Sequence, residues 1–339
     1  MKNIKELQTL LQYPKNVVIV THFKPDADAL GSSLGLYWFL KRKGHNVKVI
    51  TPSDYPTFLE WMPGNEEVLA LKPNNKKVSE QANKTIENAD IIFCLDFSRL
   101  SRINDVEESV GASKAVKVII DHHLNPENFA SYSIHDSSSA STAGLVYGLI
   151  KQMKETHHID SNIATCLYAG LMTDTGSFRH SNTRSEEFII AAELFKFGAN
   201  PSLIAKLIYD TNTIERLRLI GYVLHEKLVI IPELHTAYMI ITDDELRKLG
   251  SQTGDSEGIV NYGLSIEGIK LSVLLHEKKD EIKLSFRSTG DFSVNDLANQ
   301  YFDGGGHKNA AGGTSKDTLE NTLQKLLAIL TKFAPQLKN

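Results

Sequence analysis

Acidic and histidine side chains recur directly after short apolar runs in the N-terminal part of the chain. Such side chains can bind divalent cations or act as general acids and bases. Taken singly, each cluster is a weak signal, because an Asp-x-Asp turn is commonly solvated and an aspartate after a strand commonly caps a helix. The clusters are His22, Asp26 and Asp28, then Asp96, then Asp121, His122 and His123, and then Asp174.

The combination of these clusters predicts a metal centre. Several carboxylates gathered at one place would repel one another and raise one another's pKa values. A pair of divalent cations removes this conflict. Carboxylate and imidazole donors without thiolate suit Mn²⁺, with Mg²⁺, Co²⁺ or Zn²⁺ as substitutes. The sequence therefore predicts two divalent cations, Mn²⁺ before the others, and the chemistry of a two-metal phosphoesterase.

The apolar runs that precede the clusters predict a parallel sheet. They are typical of strands buried on both faces, and amphipathic helical patterns alternate with them. In open α/β sheets, ligands bind beyond the carboxyl ends of the strands, where these clusters must lie. The expected fold is therefore α/β, with helices on both faces of a parallel sheet. The predicted strands are residues 17–20, 47–50, 91–95 and 118–120.

The pattern changes in the C-terminal part and predicts a second, smaller α/β domain. We expect a metal-binding domain at residues 1–195, a helical linker at 196–225 and the second domain at 226–339. Arg287, followed by Ser288 at the end of a predicted strand, is a candidate phosphate-binding fork. The glycines before His307 would let backbone N–H groups approach an anion closely, although a plain surface turn has the same pattern.

Composition narrows the class of partner. The 339 residues carry a net charge of −4, which argues against binding to long nucleic acid or an anionic membrane. No run approaches the about 18 apolar residues of a membrane span, and the N-terminal residues lack the apolar core of a signal peptide. Cys94 and Cys166 lie in apolar segments and favour buried thiols over a disulfide. We expect a cytoplasmic protein, and the sequence leaves open whether it forms a homodimer.

The ordered clusters resemble the motifs of DHH phosphoesterases. Four motifs of that family are matched, in order, by His22-x-x-x-Asp26-x-Asp28, Asp96, Asp121-His122-His123 and Asp174. Ala27 stands where the family often has glycine. The segment GGGHKNAAG at residues 304–312 resembles the signature of the domain that commonly follows the DHH domain. The two-domain layout is similar to that of nano-RNases (oligoribonucleases) and 3′-phosphoadenosine 5′-phosphate phosphatases.

The resemblance implies a role for each residue. His22 and Asp26 would bind one metal ion, Asp28, His122 and Asp174 would bind the other, and Asp96 would bridge both. His123 would be a catalytic group that contacts the phosphate, with Asp121 supporting it. The residues implied to hold substrate are His123, Arg287, Ser288, Gly305, Gly306 and His307.

The expected function is hydrolysis of short RNA oligonucleotides, with 3′-phosphoadenosine 5′-phosphate as a second substrate. The alternatives are a cyclic-dinucleotide or linear-dinucleotide phosphodiesterase and an inorganic pyrophosphatase. Cyclic-dinucleotide enzymes of this superfamily often carry membrane and sensory regions, which this sequence does not show. A non-catalytic nucleotide-binding module is a further alternative, although a degenerate relative would be expected to lose ligands and every motif carboxylate is present.

Overall fold

The chain forms two compact units in the computed structural model, which describes residues 4–72, 75–252 and 254–338. The N-terminal unit is Met1–Thr211 and the C-terminal unit is Asn212–Asn339. The finer division at residues 195 and 226 stays a prediction.

The N-terminal unit contains a six-stranded sheet. Its strands are β1 (Asn16–Val20), β2 (Asn46–Thr51), β3 (Val68–Ala70), β4 (Ile91–Leu95), β5 (Val116–Asp121) and β6 (Tyr132–His135). The spatial order is β3-β2-β1-β4-β5-β6, and every neighbouring pair is parallel. This confirms the predicted parallel sheet. The two edge strands β3 and β6 were not predicted, because each is short and only partly buried.

Helices cover both faces of this sheet, as the sequence predicts. They are α1 (Ile4–Leu10), α2 (Ala27–Arg42), α3 (Lys76–Glu87), α4 (Glu107–Ala112), α5 (Thr142–Gln152), α6 (Ser161–Asp174), α7 (Ser185–Lys196) and α8 (Pro201–Tyr209). Along β1, Val17 and Ile19 face a core shared with α2, α5 and α6, whereas Val18 and Val20 face a second core shared with α3 and α4. Alternate side chains of one strand therefore enter different cores.

The C-terminal unit has a mixed six-stranded sheet and confirms the predicted second α/β domain. Its strands are β7 (Val229–Ile231), β8 (Thr236–Thr242), β9 (Leu271–Glu277), β10 (Ile282–Ser288), β11 (Gly305–His307) and β12 (Ala310–Ser315). Its helices are α9 (Ile214–Tyr222), α10 (Asp243–Lys248), α11 (Ile259–Leu264), α12 (Val294–Tyr301) and α13 (Leu319–Lys338). The strand order is β11-β12-β10-β9-β8-β7, and β8 and β9 are the parallel pair.

No single helix within the described residues is long and apolar enough to cross a membrane. Helices α7 and α8 pass that test of length and composition only as a pair, and the pair is bent by 107°.

Candidate metal centre

The carboxyl ends of three neighbouring strands carry most of the predicted ligands. Strand β4 lies between β1 and β5, so the loops that follow these strands emerge side by side. The loop after β1 carries His22, Asp96 follows β4 directly, and His122 follows β5. Asp174 is the last residue of α6. The structure thus brings the four predicted clusters together at the carboxyl ends of the central strands.

Distances between side-chain atoms of the described residues define four groups of possible ligands, and two overlapping groups consist only of predicted metal ligands. In the first, His22, Asp26 and Asp96 each offer a donor atom within 4.8 Å of the others. In the second, Asp28, Asp96 and His122 do the same. Asp96 belongs to both groups: its Oδ2 lies 3.4 Å from His22 Nε2, and its Oδ1 lies 3.5 Å from His122 Nε2.

Asp174 lies beside the second group. Its Oδ2 is 3.2 Å from His122 Nε2, and Asp28 Oδ2 is 3.8 Å from the same nitrogen. One imidazole nitrogen therefore faces three carboxylates. A position with so many oxygen donors and one nitrogen donor is suited to a hard divalent cation.

Backbone carbonyls determine which nitrogen of each histidine faces these carboxylates. Nδ1 of His22 lies 2.9 Å from the Phe23 carbonyl oxygen, and Nδ1 of His122 lies 3.0 Å from the Ser139 carbonyl oxygen. A carbonyl can only accept a hydrogen bond, so each Nδ1 carries the proton. In the neutral imidazole, Nε2 then presents a lone pair toward carboxylate oxygens, which is the tautomer and orientation of a metal ligand.

Burial and the neighbouring charges shift the pKa values of the clustered side chains. Burial raises the pKa of the Asp28 carboxyl well above its ordinary value, and repulsion from Asp174 and Asp96 raises it further. Burial likewise raises the pKa of Asp174 to about 6, although a hydrogen bond from His122 opposes this. For Asp96, hydrogen bonds from His122 and His22 outweigh burial and hold the pKa well below its ordinary range. Hydrogen bonds to Asp174 and Asp96 also outweigh burial at His122, whose pKa is raised well above 6.5.

This electrostatic conflict is the observation that fits a metal centre. Three carboxylates share an enclosed space, and without a cation one of them must stay protonated or His122 must stay charged. A divalent cation between the carboxylates and the Nε2 lone pairs would remove both requirements. The donor set therefore fits divalent cations, as the sequence predicts.

Two glycines allow α2 and α6 to pack closely behind Asp28. Asp26 caps α2, its Oδ1 accepting from the backbone N–H groups of Asp28 and Ala29 at 3.0 Å each. A Cβ on Gly170 of α6 would lie 2.6 Å from Asp28 Oδ1, and a Cβ on Gly31 of α2 would lie 2.4 Å from the Cys166 carbonyl oxygen. Glycine at these positions leaves the space that the Asp28 carboxylate occupies.

The backbone of Asp96 is in the left-handed region, with φ of 63°. Its N–H donates to the Ile120 carbonyl at 3.0 Å, which ties the residue to the end of β5. Aspartate tolerates this conformation better than most residues, but it is uncommon outside turns and functional sites. The sharp turn after β4 points the Asp96 carboxylate across the edge of the sheet toward His22 and His122.

The Asp121–His123 pair stands beside the carboxylate cluster. The Asp121 carboxylate is fully buried and accepts from His123 Nδ1 at 2.8 Å and from the His123 backbone N–H at 3.1 Å. His135, on β6, donates from Nε2 to the His123 carbonyl oxygen at 2.6 Å. Asp121 thus holds one orientation of the His123 ring, with the proton on Nδ1.

The sequence did not predict the residues that donate hydrogen bonds to the Asp28 and Asp96 carboxylates from helix α5. The first turn of α5 supplies two backbone N–H groups to Asp28, from Thr142 at 2.6 Å and Ala143 at 2.9 Å. The Thr142 hydroxyl donates to Asp96 Oδ1 at 2.8 Å. Ser141, the N-cap of this helix, was the only sequence signal of a helix start here.

The predicted substrate residues of the C-terminal unit lie at one end of its sheet. Arg287 pairs with Ala310 across β10 and β12, and Ala310 pairs with His307 across β12 and β11. Directly opposed residues of antiparallel strands project to the same face. Arg287 and His307 therefore share a face of this sheet, on strands β10 and β11, with β12 between them.

The neighbouring predicted residues have clear structural partners. The Ser288 hydroxyl donates to the Phe292 carbonyl at 2.7 Å and accepts from Asn309 Nδ2 at 2.9 Å. The Gly306 N–H donates to Asn295 Oδ1 at 2.9 Å. The segment from Gly305 to His307, for which the sequence leaves a surface turn open, is strand β11, because β12 pairs with it along its whole length.

Known proteins are similar to this chain over most of its length. The DHH family, N-terminal domain, matches residues 16–171, and the DHHA1 domain matches residues 234–335. The bifunctional oligoribonuclease and PAP phosphatase NrnA of Thermus thermophilus is 32% identical over 93% of this chain and 88% of its own length. The protein of the same name from Bacillus subtilis is 29% identical over 91% of this chain and 92% of its own length.

A solved structure from Bacteroides fragilis, of an exopolyphosphatase-related protein, is also similar. It has a TM-score of 0.92 and 40% identity, and the match covers 99% of this chain and 97% of that one. The family match, the 32% identity over most of the chain and the cluster of possible metal ligands agree. This chain belongs to the DHH family of metal-dependent phosphoesterases, and it is a hydrolase.

Proposed function

We propose that this hydrolase cleaves phosphodiester bonds in short RNA oligonucleotides, using two divalent cations of which Mn²⁺ is the best suited. His22 and Asp26 would hold one cation, Asp28, His122 and Asp174 the other, and Asp96 both. The observation that carries the proposal is the position of Asp96 in both groups of possible ligands. The names and the extent of the similar NrnA proteins support the substrate class.

The chemistry divides between the cations and the side chains. When bound, two divalent cations activate water at neutral pH and neutralise phosphoryl oxygens. The His123 ring, held by Asp121 at 2.8 Å, can donate a proton from Nε2 to a phosphoryl or leaving oxygen. The buried Asp121 carboxylate keeps the orientation of that ring through hydrogen bonds from its Nδ1 and from the His123 backbone N–H.

The C-terminal unit would provide substrate contacts. Arg287 presents a planar guanidinium on the same face as His307, and such a fork suits a phosphate. Gly305 and Gly306 form a strand without side chains, over which a nucleotide can lie close to the backbone. Ser288 would contribute by holding the segment after β10 in place, because its hydroxyl already bonds to the Phe292 carbonyl and the Asn309 side chain.

A second substrate is proposed on the same observations. Removal of the 3′-phosphate from 3′-phosphoadenosine 5′-phosphate needs the same activated water and the same neutralised phosphoryl group. Both similar NrnA proteins carry this activity in their names.

A substrate panel with Mn²⁺ tests the proposal. It contains a diribonucleotide, 3′-phosphoadenosine 5′-phosphate, a cyclic dinucleotide, pyrophosphate and an RNA longer than the about 4–16 nucleotides that one single-strand site covers. We expect the diribonucleotide to have the highest kcat/KM. Equal rates on the diribonucleotide and the long RNA would contradict selection for short substrates. Faster turnover of the cyclic dinucleotide or pyrophosphate would replace the proposed substrate, and inactivity of the Mn²⁺-loaded protein on the whole panel would favour a binding module.

A further inference from the structure

Thr142 bonds to two carboxylates of the metal centre through two different groups. Its backbone N–H donates to Asp28 Oδ2 at 2.6 Å, and its hydroxyl donates to Asp96 Oδ1 at 2.8 Å. Thr142 is fully buried, as Asp28 is. Asp28 lies on α2 and Asp96 follows β4, so this one residue joins two elements of the site that are 68 positions apart in sequence.

The first turn of α5 holds Thr142 rigidly. Ser141 is the N-cap, its Oγ accepting from the Gly144 N–H at 3.0 Å. The next N–H, from Ala143, donates to the other oxygen of Asp28 at 2.9 Å. Both oxygens of Asp28 are thus bonded to the start of one helix, whose dipole also favours a negative charge there. The N–H groups of Thr142 and Ala143, which have no partner within the helix, are thus satisfied by the Asp28 carboxylate.

The hydroxyl bond matters because Asp96 can rotate about its terminal torsion. A carboxylate torsion is broad, so the side chain by itself does not fix the direction in which each oxygen points. The Thr142 hydroxyl ties Oδ1 on one side, while Oδ2 lies 3.4 Å from His22 Nε2. Each oxygen keeps a second lone pair for a cation.

We propose that Thr142 is the positioning residue of the metal centre, orienting Asp96 through its hydroxyl and spacing Asp96 from Asp28 before any cation binds. This inference rests on the proposed metal site. Thr142 itself touches neither cation nor substrate. Its contribution is expected in cation affinity, because an unoriented carboxylate must lose rotational freedom when the cations bind.

The test compares variants of neighbouring buried residues. Thr142→Val keeps the shape and the backbone N–H but removes the hydroxyl, and Thr142→Ser keeps the hydroxyl. Ser141→Ala removes a buried hydroxyl from the same turn without touching Asp96. The dissociation constant for Mn²⁺ is measured by isothermal titration calorimetry, and the melting temperature is measured on metal-free protein. Thr142→Ala replaces the valine variant if that variant does not fold.

We expect Thr142→Val to raise the Mn²⁺ dissociation constant about 10–100-fold, as loss of a ligand's supporting group does. Thr142→Ser should bind Mn²⁺ like the wild type. Ser141→Ala should lower the melting temperature of the metal-free protein and raise the Mn²⁺ dissociation constant much less than Thr142→Val does. Equal affinities for Thr142→Val and the wild type would overturn the inference, as would an equal loss in Thr142→Val and Ser141→Ala. A wild-type protein that binds no Mn²⁺ would instead contradict the proposed function.

Discussion

The two units differ in what they bury around their candidate functional residues. The N-terminal unit buries carboxylates around Asp96, whereas the C-terminal unit packs one backbone segment closely against another around Gly304. Asp28 and Asp96 are almost fully buried next to Asp174, an arrangement that raises the pKa values of Asp28 and Asp174 and opposes folding of the metal-free chain. A Cβ on Gly304 would lie 2.0 Å from the Gly312 carbonyl oxygen, so glycine is needed there whatever the unit binds.

The difference teaches how to weigh two kinds of sequence signal. Buried like charges have no structural benefit, so their presence points to a ligand that compensates them. Glycines have a structural use of their own. On Gly313, a Cβ would lie 2.8 Å from the Phe302 carbonyl oxygen, which accounts for a further glycine of the same segment without a substrate.

The largest expected effect is loss of the shared carboxylate. Asp96→Asn should lower kcat/KM by more than the about 100-fold that loss of a ligand's supporting group can cost. Asp90→Asn is the matched control, because Asp90 precedes the same strand β4 at its other end and accepts from the Asn16 N–H at 2.8 Å. We expect that control to keep wild-type kcat/KM in a diribonucleotide assay with Mn²⁺. Retention of most activity in Asp96→Asn would show that the centre does not depend on this residue.

The next largest effect concerns the C-terminal unit. Arg287→Ala should raise KM about 10–100-fold with a smaller change in kcat, because a hydrogen bond to a charged group contributes about 1.5–3 kcal/mol. Lys283→Ala is the control, since Lys283 lies on the same strand and the same face. Steady-state kinetics on the diribonucleotide separate KM from kcat. An equal rise in KM for both variants would indicate general attraction by positive charge and not a specific contact.

The glycine-rich segment should respond in stability. Gly304→Ala should lower the free energy of unfolding by about 1–3 kcal/mol, because the new methyl group meets backbone atoms that cannot move aside. Gly221→Ala, in α9, has open space around its Cβ and should raise stability by about 0.4–1 kcal/mol. Urea denaturation followed by circular dichroism measures both. If Gly304→Ala unfolds like the wild type but loses activity, glycine is needed at this position for substrate binding and not for the close approach of the backbone.

The last expected effect is on the pH dependence of stability, and it concerns the metal-free protein only. The carboxyl of Asp174 has a pKa raised from 3.8 to about 6, so the folded state binds more protons than the unfolded state between these values. Metal-free wild type should therefore lose up to about 3 kcal/mol of stability as the pH rises through this window, because one unit of pKa shift corresponds to about 1.4 kcal/mol. Asp174→Asn should remove this loss and be more stable than the wild type at pH above 6.

Thermal melts of the metal-free proteins across the window check this prediction. Wild type and Asp174→Asn are compared at each pH, and the difference between their melting temperatures isolates the contribution of the Asp174 carboxyl. A wild-type protein that gains stability as the pH rises from about 4 to 6 would show that other carboxylates dominate.

Much of the N-terminal unit could be predicted because its central strands are continuous apolar runs. Strand β4 is fully buried along its length, and its sequence Ile-Ile-Phe-Cys-Leu shows this directly. Strand β11 could not be predicted, because Gly305 and Gly306 have no strand propensity and are extended only because β12 pairs with them.

The types, order and strand-end positions of the charged residues were determined by the sequence alone. His22, Asp96 and His122 had to emerge at one sheet edge once β1, β4 and β5 were parallel, and this much follows from alternating apolar runs. Which donors hold the carboxylates was decided by the tertiary structure. Asp28 is held by backbone N–H groups of Thr142 and Ala143, and every residue except proline carries such a group. Because nearly every residue has a backbone N–H group, the sequence does not indicate which of them bind the Asp28 carboxylate. The tertiary structure places the N–H groups of Thr142 and Ala143 beside it.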